Sequence, residues 1–238
     1  MKAYDLHVHS AFSGGESSLE ELASMAKELG YCGICFTSYP LRKEEEEILK
    51  AEIKRVEEKT KIKILLGFEA RNIKELIQLA NRRREFDILL ARGGDLNLNR
   101  KACGTPEVDI LTHPEYNRND SGLDHVSVRL AAENNVAIEI NFREILLSTK
   151  RNRSIVLKNI AQNVFLAKKF GAKIILCSGA ISCWELRAPE CLVSMACQLG
   201  LEYKEAKDAI TNIPSNIIKM IEERKDEKWI MPGVKIVR

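Results

Sequence analysis

Short, almost continuously apolar segments alternate with amphipathic segments along most of this 238-residue chain. Segments that are apolar on both faces indicate strands of a parallel sheet that helices cover on both sides. The predicted strands span residues 4–8, 33–37, 62–69, 86–92, 108–112, 136–141 and 173–177. The predicted helices span residues 18–29, 42–58, 72–83, 123–134, 152–170 and 188–199, with two more between 203 and 227.

Polar side chains stand at the carboxyl end of nearly every predicted strand. They include His7, His9, Glu69, Arg92, His113 and Asn141. An open doubly wound sheet and a closed (β/α) barrel both accommodate alternating strands and helices. Functional groups from the ends of many different strands are typical of the barrel. We therefore predict a single α/β domain over residues 1–238, a TIM-barrel-like (β/α) barrel with a helical extension from about residue 203.

Composition excludes several classes of protein. A hydrophobic content of 45% is ordinary for a chain that buries a core. No apolar segment approaches the roughly 20 residues that span a bilayer, so we expect no membrane partner. The N-terminus lacks a signal-peptide pattern, and the seven scattered cysteines indicate reduced thiols in a cytoplasmic protein. Cys32 and Cys35 lie within a predicted strand, which argues against a redox or zinc motif.

Charge is distributed unevenly along the chain. Between residues 143 and 173 there are eight Lys or Arg and one acid, a net charge of +7, whereas the whole chain carries +3. A second basic cluster includes residues 82–84. Such asymmetry is typical of a surface that docks a polyanion. Solvated helix faces are the alternative explanation for either cluster taken alone.

The histidines suggest a metal site that is incomplete. Residues two apart on a strand point the same way, so His7 and His9 are predicted to face one spot. Glu69 and His113 are the other candidate ligands at strand ends, and Asp5 could support them. The second and last strands end in 37–39 (Thr-Ser-Tyr) and 178–180 (Ser-Gly-Ala), which offer no ligand. Metal-cluster hydrolysis of phosphate esters needs two or three cations, so the set is insufficient.

These motifs resemble those of a known superfamily. The 7–9 segment (His-Val-His), the 67–69 segment (Gly-Phe-Glu) and His113 are similar to the polymerase-and-histidinol-phosphatase (PHP) superfamily of metal-dependent phosphoesterases. In that superfamily a His typically ends the second strand and an Asp-x-His follows the last. This chain has Tyr39 at the first place and Ser-Gly-Ala at the second, which argues against phosphoesterase activity of its own.

A closer resemblance covers residues 5 to about 190. Five blocks, in order, are similar to the archaeal relatives of the 30-kDa subunit of eukaryotic ribonuclease P; they span residues 5–10, 86–89, 108–114, 137–146 and 178–189. The resemblance implies a PHP-like barrel that binds the catalytic RNA of ribonuclease P, the enzyme that removes the 5′ leader of precursor tRNA. It implies a smaller protein subunit as direct partner, further protein subunits in the holoenzyme, and only indirect contact with precursor tRNA.

The same resemblance implies that the polypeptide supplies no catalytic residue and binds no cofactor, because the Mg²⁺ ions serve the RNA. The alternative function is that of a stand-alone PHP-type phosphoesterase, for which His7, His9, Glu69 and His113 would be metal ligands. For the histidines three interpretations stay open: a vestigial metal site, a hydrogen-bonded polar plug with Asp5 and Glu69, and a direct RNA contact.

Phosphate contacts supply most of the affinity of proteins for RNA, and arginine meets phosphate oxygens in pairs. The predicted RNA-binding residues are Arg71, Arg92, Arg100, Arg143, Lys150, Arg151, Arg153 and Arg187. Ion pairs are the alternative for two of them, Arg71 with Glu69 and Arg143 with Glu139 or Glu144. We place Lys150 to Arg153 in a loop, and expect Trp184 to pack beside the last strand. The helices at 152–170 and 188–199 are candidates for the protein partner.

Overall fold

Seven parallel strands form one sheet in which spatial order follows chain order. The structure is a computed structural model that describes residues 1–226, 229–231 and 234–235. The strands are β1 (Ala3–Val8), β2 (Tyr31–Ser38), β3 (Lys63–Ala70), β4 (Ile88–Arg92), β5 (Ile110–Thr112), β6 (Ala137–Asn141) and β7 (Ile174–Cys177). Each pairs in parallel with the next, so every carboxyl end lies at the same end of the sheet.

The sheet curls until β1 meets the segment after β7. The amide of His9 donates to the carbonyl of Ala180 at 2.8 Å, and the amide of Gly179 donates to the carbonyl of His7 at 3.1 Å. Across the same seam, the buried carboxylate of Asp5 accepts the amide of Ser178 at 3.2 Å. The predicted TIM-barrel-like (β/α) barrel is confirmed, in a nearly closed form with seven strands.

Helices surround the barrel and follow the strands in turn. They are α1 (Leu19–Glu28), α2 (Lys43–Thr60), α3 (Ile73–Asn81), α4 (Leu96–Cys103), α5 (His125–Asn134), α6 (Phe142–Leu147), α7 (Lys150–Phe170), α8 (Pro189–Gln198), α9 (Tyr203–Ile210) and α10 (Asn212–Lys225). Capping residues determine where several of these helices begin: Ser18 forms a capping box with Glu21, and the side chain of Asp95 accepts the amide of Leu98. Within the described residues, no helix is both long enough and apolar enough to cross a membrane.

Helices α4 and α6 were not predicted. Each is short, eight and six residues respectively, and α4 begins Leu-Asn-Leu-Asn, which alternates with the period of a strand. The antiparallel pair β8 (Trp229–Met231) and β9 (Val234–Lys235) was also not predicted. Residue 227, the predicted end of the last helix, lies outside the described residues, as does the Trp229 side chain.

Helix α10 closes the end of the barrel opposite the carboxyl ends of the strands. Its Ile217, Ile218 and Ile221 pack on the apolar side chains inside the barrel, among them Leu6 and Leu90. A larger core between the sheet and the outer helices contains most of the remaining buried apolar residues. Because α10 covers one end, the polar side chains at the carboxyl ends of the strands lie at the other end of the barrel, the mouth.

Two expectations about single side chains have different outcomes. Trp184 does not pack beside the last strand, because it is 77% exposed in a short turn whose neighbours Cys183 and Leu186 take the buried positions. Cys32 is exposed and Cys35 is buried, and both lie in β2, so their predicted location in a strand is confirmed.

Candidate functional site

The four candidate metal ligands meet at the mouth of the barrel. His7, His9, Glu69 and His113 line one cavity of about 90 Å³. The Nε2 atoms of His7 and His9 lie 3.0 Å apart, so the predicted common direction of the two imidazoles is confirmed. Glu69 lies between them and His113, with carboxylate-to-imidazole distances of 3.7 to 3.9 Å.

An irregularity in β1 affects the direction in which these histidine side chains point. The register between β1 and β2 shifts between Asp5 and Val8. A bulge of this kind changes which side chains face inward, so Leu6 packs inside the barrel and His7 still points into the mouth. Sequence alternation alone does not reveal this shift.

Glu139 organises the site, and sequence reasoning had considered it only as a partner for Arg143. Its Oε1 lies 2.7 Å from Nδ1 of His7. Its Oε2 accepts the amide of His113 at 2.9 Å and the side-chain amide of Asn141 at 3.1 Å. A signal existed: a carboxylate alternates here with two isoleucines in the otherwise apolar strand 137–141, where a buried charge needs a partner.

The other ring nitrogens have partners as well. Nδ1 of His9 lies 3.1 Å from Oγ of Ser13, and Nδ1 of His113 lies 3.1 Å from Oε1 of Glu144. The hydroxyl of Thr112 donates to Oε1 of Glu69 at 2.7 Å. Each of these three imidazoles therefore belongs to a connected network of hydrogen bonds, which favours the polar-plug interpretation. Its partners are Glu69, Glu139 and Glu144, whereas Asp5 is engaged at the seam.

The electrostatic environment of the mouth shifts the pKa values of the three histidines in different directions. Burial lowers the pKa of His113, but the carboxylates of Glu144 and Glu69 outweigh it and raise the value to about 10. The pKa of His7 is also raised, because Glu139 and Glu69 overcome burial. Burial together with the charge on His7 lowers the pKa of His9 to about 4. At neutral pH the imidazole of His113 is therefore cationic beside these carboxylates, and the imidazole of His9 is neutral.

Carboxylates here respond to the same network. Burial would raise the pKa of Glu69, but the three imidazoles hold it well below its usual range. Asp5 behaves oppositely: burial raises its pKa to about 6 despite the hydrogen bonds from Ser178. Glu69 is therefore ionised at neutral pH, beside the protonated imidazole of His113.

The donor set offers one group of three candidate metal ligands. One ligand atom each from His7, His9 and Glu69 lies within 4.8 Å of the others, and no other such group exists among the residues described. Tyr39 lines the mouth at the end of β2, where it adds no strong ligand. Metal-assisted phosphoester hydrolysis that uses a pair of cations needs more ligands than these three.

Arginines form the rim of the mouth. Arg92 donates to the hydroxyl of Tyr39 at 2.8 Å and stacks over the ring of Tyr116, 5.0 Å from its centroid. Arg71 does not pair with Glu69; it forms a two-point ion pair with Glu75, because β3 leads into α3 and brings them four residues apart. These guanidiniums are held in place beside the cavity rather than inside it.

Arg143 and Arg187 lie on the opposite side of the mouth. Arg143 does not pair with Glu139 or Glu144, but with Glu185 at 2.9 Å, a partner 42 residues away that the turn after β7 supplies. Arg187 donates to the carbonyls of Trp184 and Leu186, both at 2.7 Å, which folds it back on its own loop.

Lys150, Arg151 and Arg153 lie in the first turn of α7, not in a loop as predicted. All three are exposed, and the ion pairs of the described residues include none of them. Arg100 is exposed in the last turn of α4. The α7 turn is therefore the densest unneutralised basic surface near the mouth.

The second basic cluster is largely neutralised within the fold. Arg82 pairs with Glu46 and Glu85, and Arg83 pairs with Asp109. Arg83 is only 8% exposed. These arginines lie where Asp109 precedes β5, at the end of the barrel away from the mouth, so they stabilise the protein.

The glycines after β4 allow a close turn. A Cβ at Gly93 would lie 2.4 Å from the carbonyl oxygen of Thr112, and Gly94 has a φ of +107°. The turn carries Arg92 toward Tyr116 without providing a phosphate-binding loop.

Comparison with known proteins decides the family. The profile described as RNase P subunit p30 matches residues 2–226. The chain belongs to the ribonuclease P subunit p30 family. "Ribonuclease P protein component 3" of Methanosarcina barkeri is 36% identical over 220 residues, covering 91% of this chain and 89% of that protein. The Methanosarcina mazei protein of the same name is 34% identical over 237 residues, covering 98% and 95%.

Solved structures agree with this family. A chain in the cryo-EM structure of archaeal ribonuclease P with mature tRNA matches with a TM-score of 0.81 and 29% identity over 98% of both chains. A metal-dependent tyrosine phosphatase of the kind solved from Bacillus subtilis and Streptococcus pneumoniae matches at a TM-score of 0.55 and 16% identity, which shows a shared fold alone. As a member of the p30 family, the chain is a ribonuclease P protein subunit in tRNA processing.

Proposed function

We propose that the chain supports ribonuclease P by binding the RNA subunit with its mouth rim and the start of α7. The observation that carries this proposal is the first turn of α7, where Lys150, Arg151 and Arg153 stand together without ion pairs. A helix N-terminus carries a partial positive charge and favours anions. The three cationic side chains there are therefore repelled by the helix N-terminus. An RNA phosphate relieves that repulsion by binding both the side chains and the free amides of the turn.

The helix itself leaves room for such an anion. No acidic residue lies in the first turn of α7, and Thr149 makes no side-chain cap to the free amides. In other helices of this protein a side chain fills that place, as Asp124 does for α5 and Asn72 for α3. The start of α7 is thus left both basic and uncapped.

Arg92 and Arg143 extend the same surface across the mouth. Both line the cavity at the mouth together with His113 and Glu144. Arg71, Arg100 and Arg187 are further candidates, and Arg71, Arg143 and Arg187 would each have to leave an existing partner to meet phosphate. We rank first Arg92 and Arg143, which line the mouth, and Arg151 and Arg153, which make no ion pair among the described residues.

The partners follow from this role. The proposed direct partners are the ribonuclease P RNA and a smaller protein subunit, with further protein subunits in the holoenzyme and precursor tRNA in indirect contact. The cleavage centre and its Mg²⁺ ions belong to the RNA, so the polypeptide needs no cofactor and no catalytic side chain of its own. The proposed location is the cytoplasm. On α7, one of the two helices proposed for the protein partner, Phe165 is 57% exposed.

A reconstitution experiment tests the proposal. Ribonuclease P is assembled from its RNA and protein subunits with the wild-type chain, with the Arg151→Ala/Arg153→Ala variant, or without the chain. We expect 5′ cleavage of precursor tRNA to fall without the chain and to fall at physiological salt with the variant. Protection of the RNA from hydroxyl radicals should weaken over one region in the variant.

The stand-alone phosphoesterase is the outcome that would replace this proposal. Purified chain that hydrolyses p-nitrophenyl phosphate with a bound transition metal, and loses that turnover in His9→Ala, would replace the proposed RNA-binding role with a catalytic one. Unchanged RNA protection and cleavage in the double variant would instead show that α7 is the wrong surface.

A further inference from the structure

A second cavity, of about 420 Å³, lies beside the mouth and shares Arg143, Glu144 and Tyr116 with it. One wall is the loop between β5 and α5. The other wall is built from the end of α6 and the first two turns of α7, the first of which is the basic turn. Its volume is within the roughly 300–1,000 Å³ of small-molecule sites.

Glu115 lines this cavity and is not satisfied by the fold. The residue is 3% exposed, and its Oε2 accepts the side-chain amide of Asn163 at 3.2 Å. Its Oε1 is buried and has no hydrogen-bond partner among the described residues. An unmade hydrogen bond of this kind is costly, so it calls for an explanation.

The unpartnered oxygen of Glu115 determines what this residue can offer. A carboxyl oxygen without a partner accepts a hydrogen bond from an N–H group. The N–H groups at the edge of a nucleobase, and the N–H of an amide, are donors of this kind.

The rest of the lining selects between these. The lining residues include the apolar side chains of Tyr116, Leu147, Ile155 and Val156 and the amides of Asn117, Asn119 and Asn152. Leu147 is 54% exposed, so its side chain is accessible to a ring that enters the cavity. Apolar and amide groups together match a planar ring with a polar edge, and the guanidiniums of Arg118 and Arg143, which also line the cavity, can meet its phosphates.

We propose that this cavity receives one unstacked base of single-stranded RNA, with Leu147 against the face of the base and Glu115 at its edge. The inference rests on the proposed RNA-binding function and adds a base contact to it. Unpaired bases that splay out of loops and bulges are the usual targets of side chains that read RNA. The contact fixes which nucleotide of the RNA lies beside α7.

Binding of the full-length chain to fluorescein-labelled octanucleotides tests this. The probes are the four homopolymers and an abasic octanucleotide with the same phosphate backbone. We expect at least one homopolymer to bind about tenfold tighter than the abasic probe, since stacking of one base contributes on that order. Leu147→Ala should bring this ratio close to one without changing the affinity for the abasic probe.

Matched variants separate the site from general effects. Leu96→Ala removes an equally exposed leucine, 52% exposed at the start of α4 and outside this cavity, and should keep the tenfold ratio. Glu115→Gln retains a hydrogen-bond acceptor and should also keep it, whereas Glu115→Leu should lose it. If Glu115→Leu fails to fold, the comparison of Leu147→Ala with Leu96→Ala still decides the question.

The possible failures are distinguishable. Equal affinity of the wild type for the abasic probe and every homopolymer would overturn the base cavity and leave the phosphate-binding surface intact. A tenfold ratio that survives Leu147→Ala would also overturn it. Absence of binding to all probes at low salt would overturn the RNA surface of α7 together with the cavity.

Discussion

Asp109 shows at the scale of one residue how this fold uses its buried charges. Two arginines converge on it: Arg83 on Oδ2, and Arg224 on Oδ1 at 2.9 Å. The amide of Leu89 also donates to Oδ2 at 2.9 Å. One carboxylate therefore compensates two almost fully buried cations, which makes it the most vulnerable ion-pair partner in the described part of the chain.

Asp109→Asn removes that compensation and leaves both guanidiniums buried. We expect the free energy of unfolding to fall by about 3–5 kcal/mol, the range for breaking a buried pair on one side. Urea denaturation measures it. Asp120→Asn, which disrupts the exposed pair with Arg118, is the control and should cost less than about 1 kcal/mol. Similar losses in the two variants would contradict the prediction.

Glu115 gives the protein a pH dependence of stability. Its pKa is about 8 in the fold against an ordinary 4.5. The stability that Glu115 contributes through its proton is therefore fully present below pH 4.5. It is lost as the pH rises toward 8, because the unfolded chain releases this proton at a lower pH than the folded chain. Glu115→Gln cannot ionise, so its stability relative to wild type should increase over that window by at most about 1.4 kcal/mol per pH unit.

Chemical denaturation at pH 5 and at pH 8 measures this difference. His113 also loses stabilising charge at high pH, since its pKa is about 10, but it does so in both proteins and cancels in the comparison. If the free energies of unfolding of wild type and variant differ by the same amount at both pH values, Glu115 is ionised throughout.

At the scale of elements, α10 determines which end of the barrel stays open. The isoleucines on one face fill the interior at the end opposite the mouth, whereas the polar residues of the mouth occupy the other end. The isoleucines of α10 therefore complete the apolar interior at that end.

Ile218→Ala tests this contribution of α10. Ile218 is 6% exposed, and its truncation leaves a cavity in the barrel interior. We expect a loss of about 2–5 kcal/mol in the free energy of unfolding, measured by urea denaturation. Ile77→Ala on α3, where the side chain is 48% exposed, is the matched control and should have little effect. Equal losses would mean that α10 is not a structural plug.

At the scale of the whole molecule, charge that looks similar in the sequence has two different uses. Arg82 forms ion pairs with Glu46 and Glu85, and Arg83 forms an ion pair with Asp109. The arginines at the start of α7 point to solvent near the mouth. The molecule therefore has one unneutralised basic end, which suits a polyanion that approaches from that side.

Salt dependence of RNA binding checks this asymmetry. Arg151→Ala/Arg153→Ala should reduce the slope of log K against log salt by about two units for the ribonuclease P RNA. Thermal stability at low salt should not fall, because the removed cations oppose the helix dipole. Lys204→Ala/Lys207→Ala on α9 removes the same charge from exposed positions elsewhere and should leave the slope unchanged. A change in both slopes would indicate general electrostatics only.

The barrel, the meeting of His7, His9, Glu69 and His113, and the family all follow from the sequence by itself. Apolar strands that alternate with amphipathic helices are a local signal, and parallel strand ends must meet at one edge. What only the tertiary structure decided is which charges find each other. Arg143 meets Glu185 and His7 meets Glu139, 132 residues away. Such pairs depend on barrel closure and on the bulge in β1, and no local pattern specifies either.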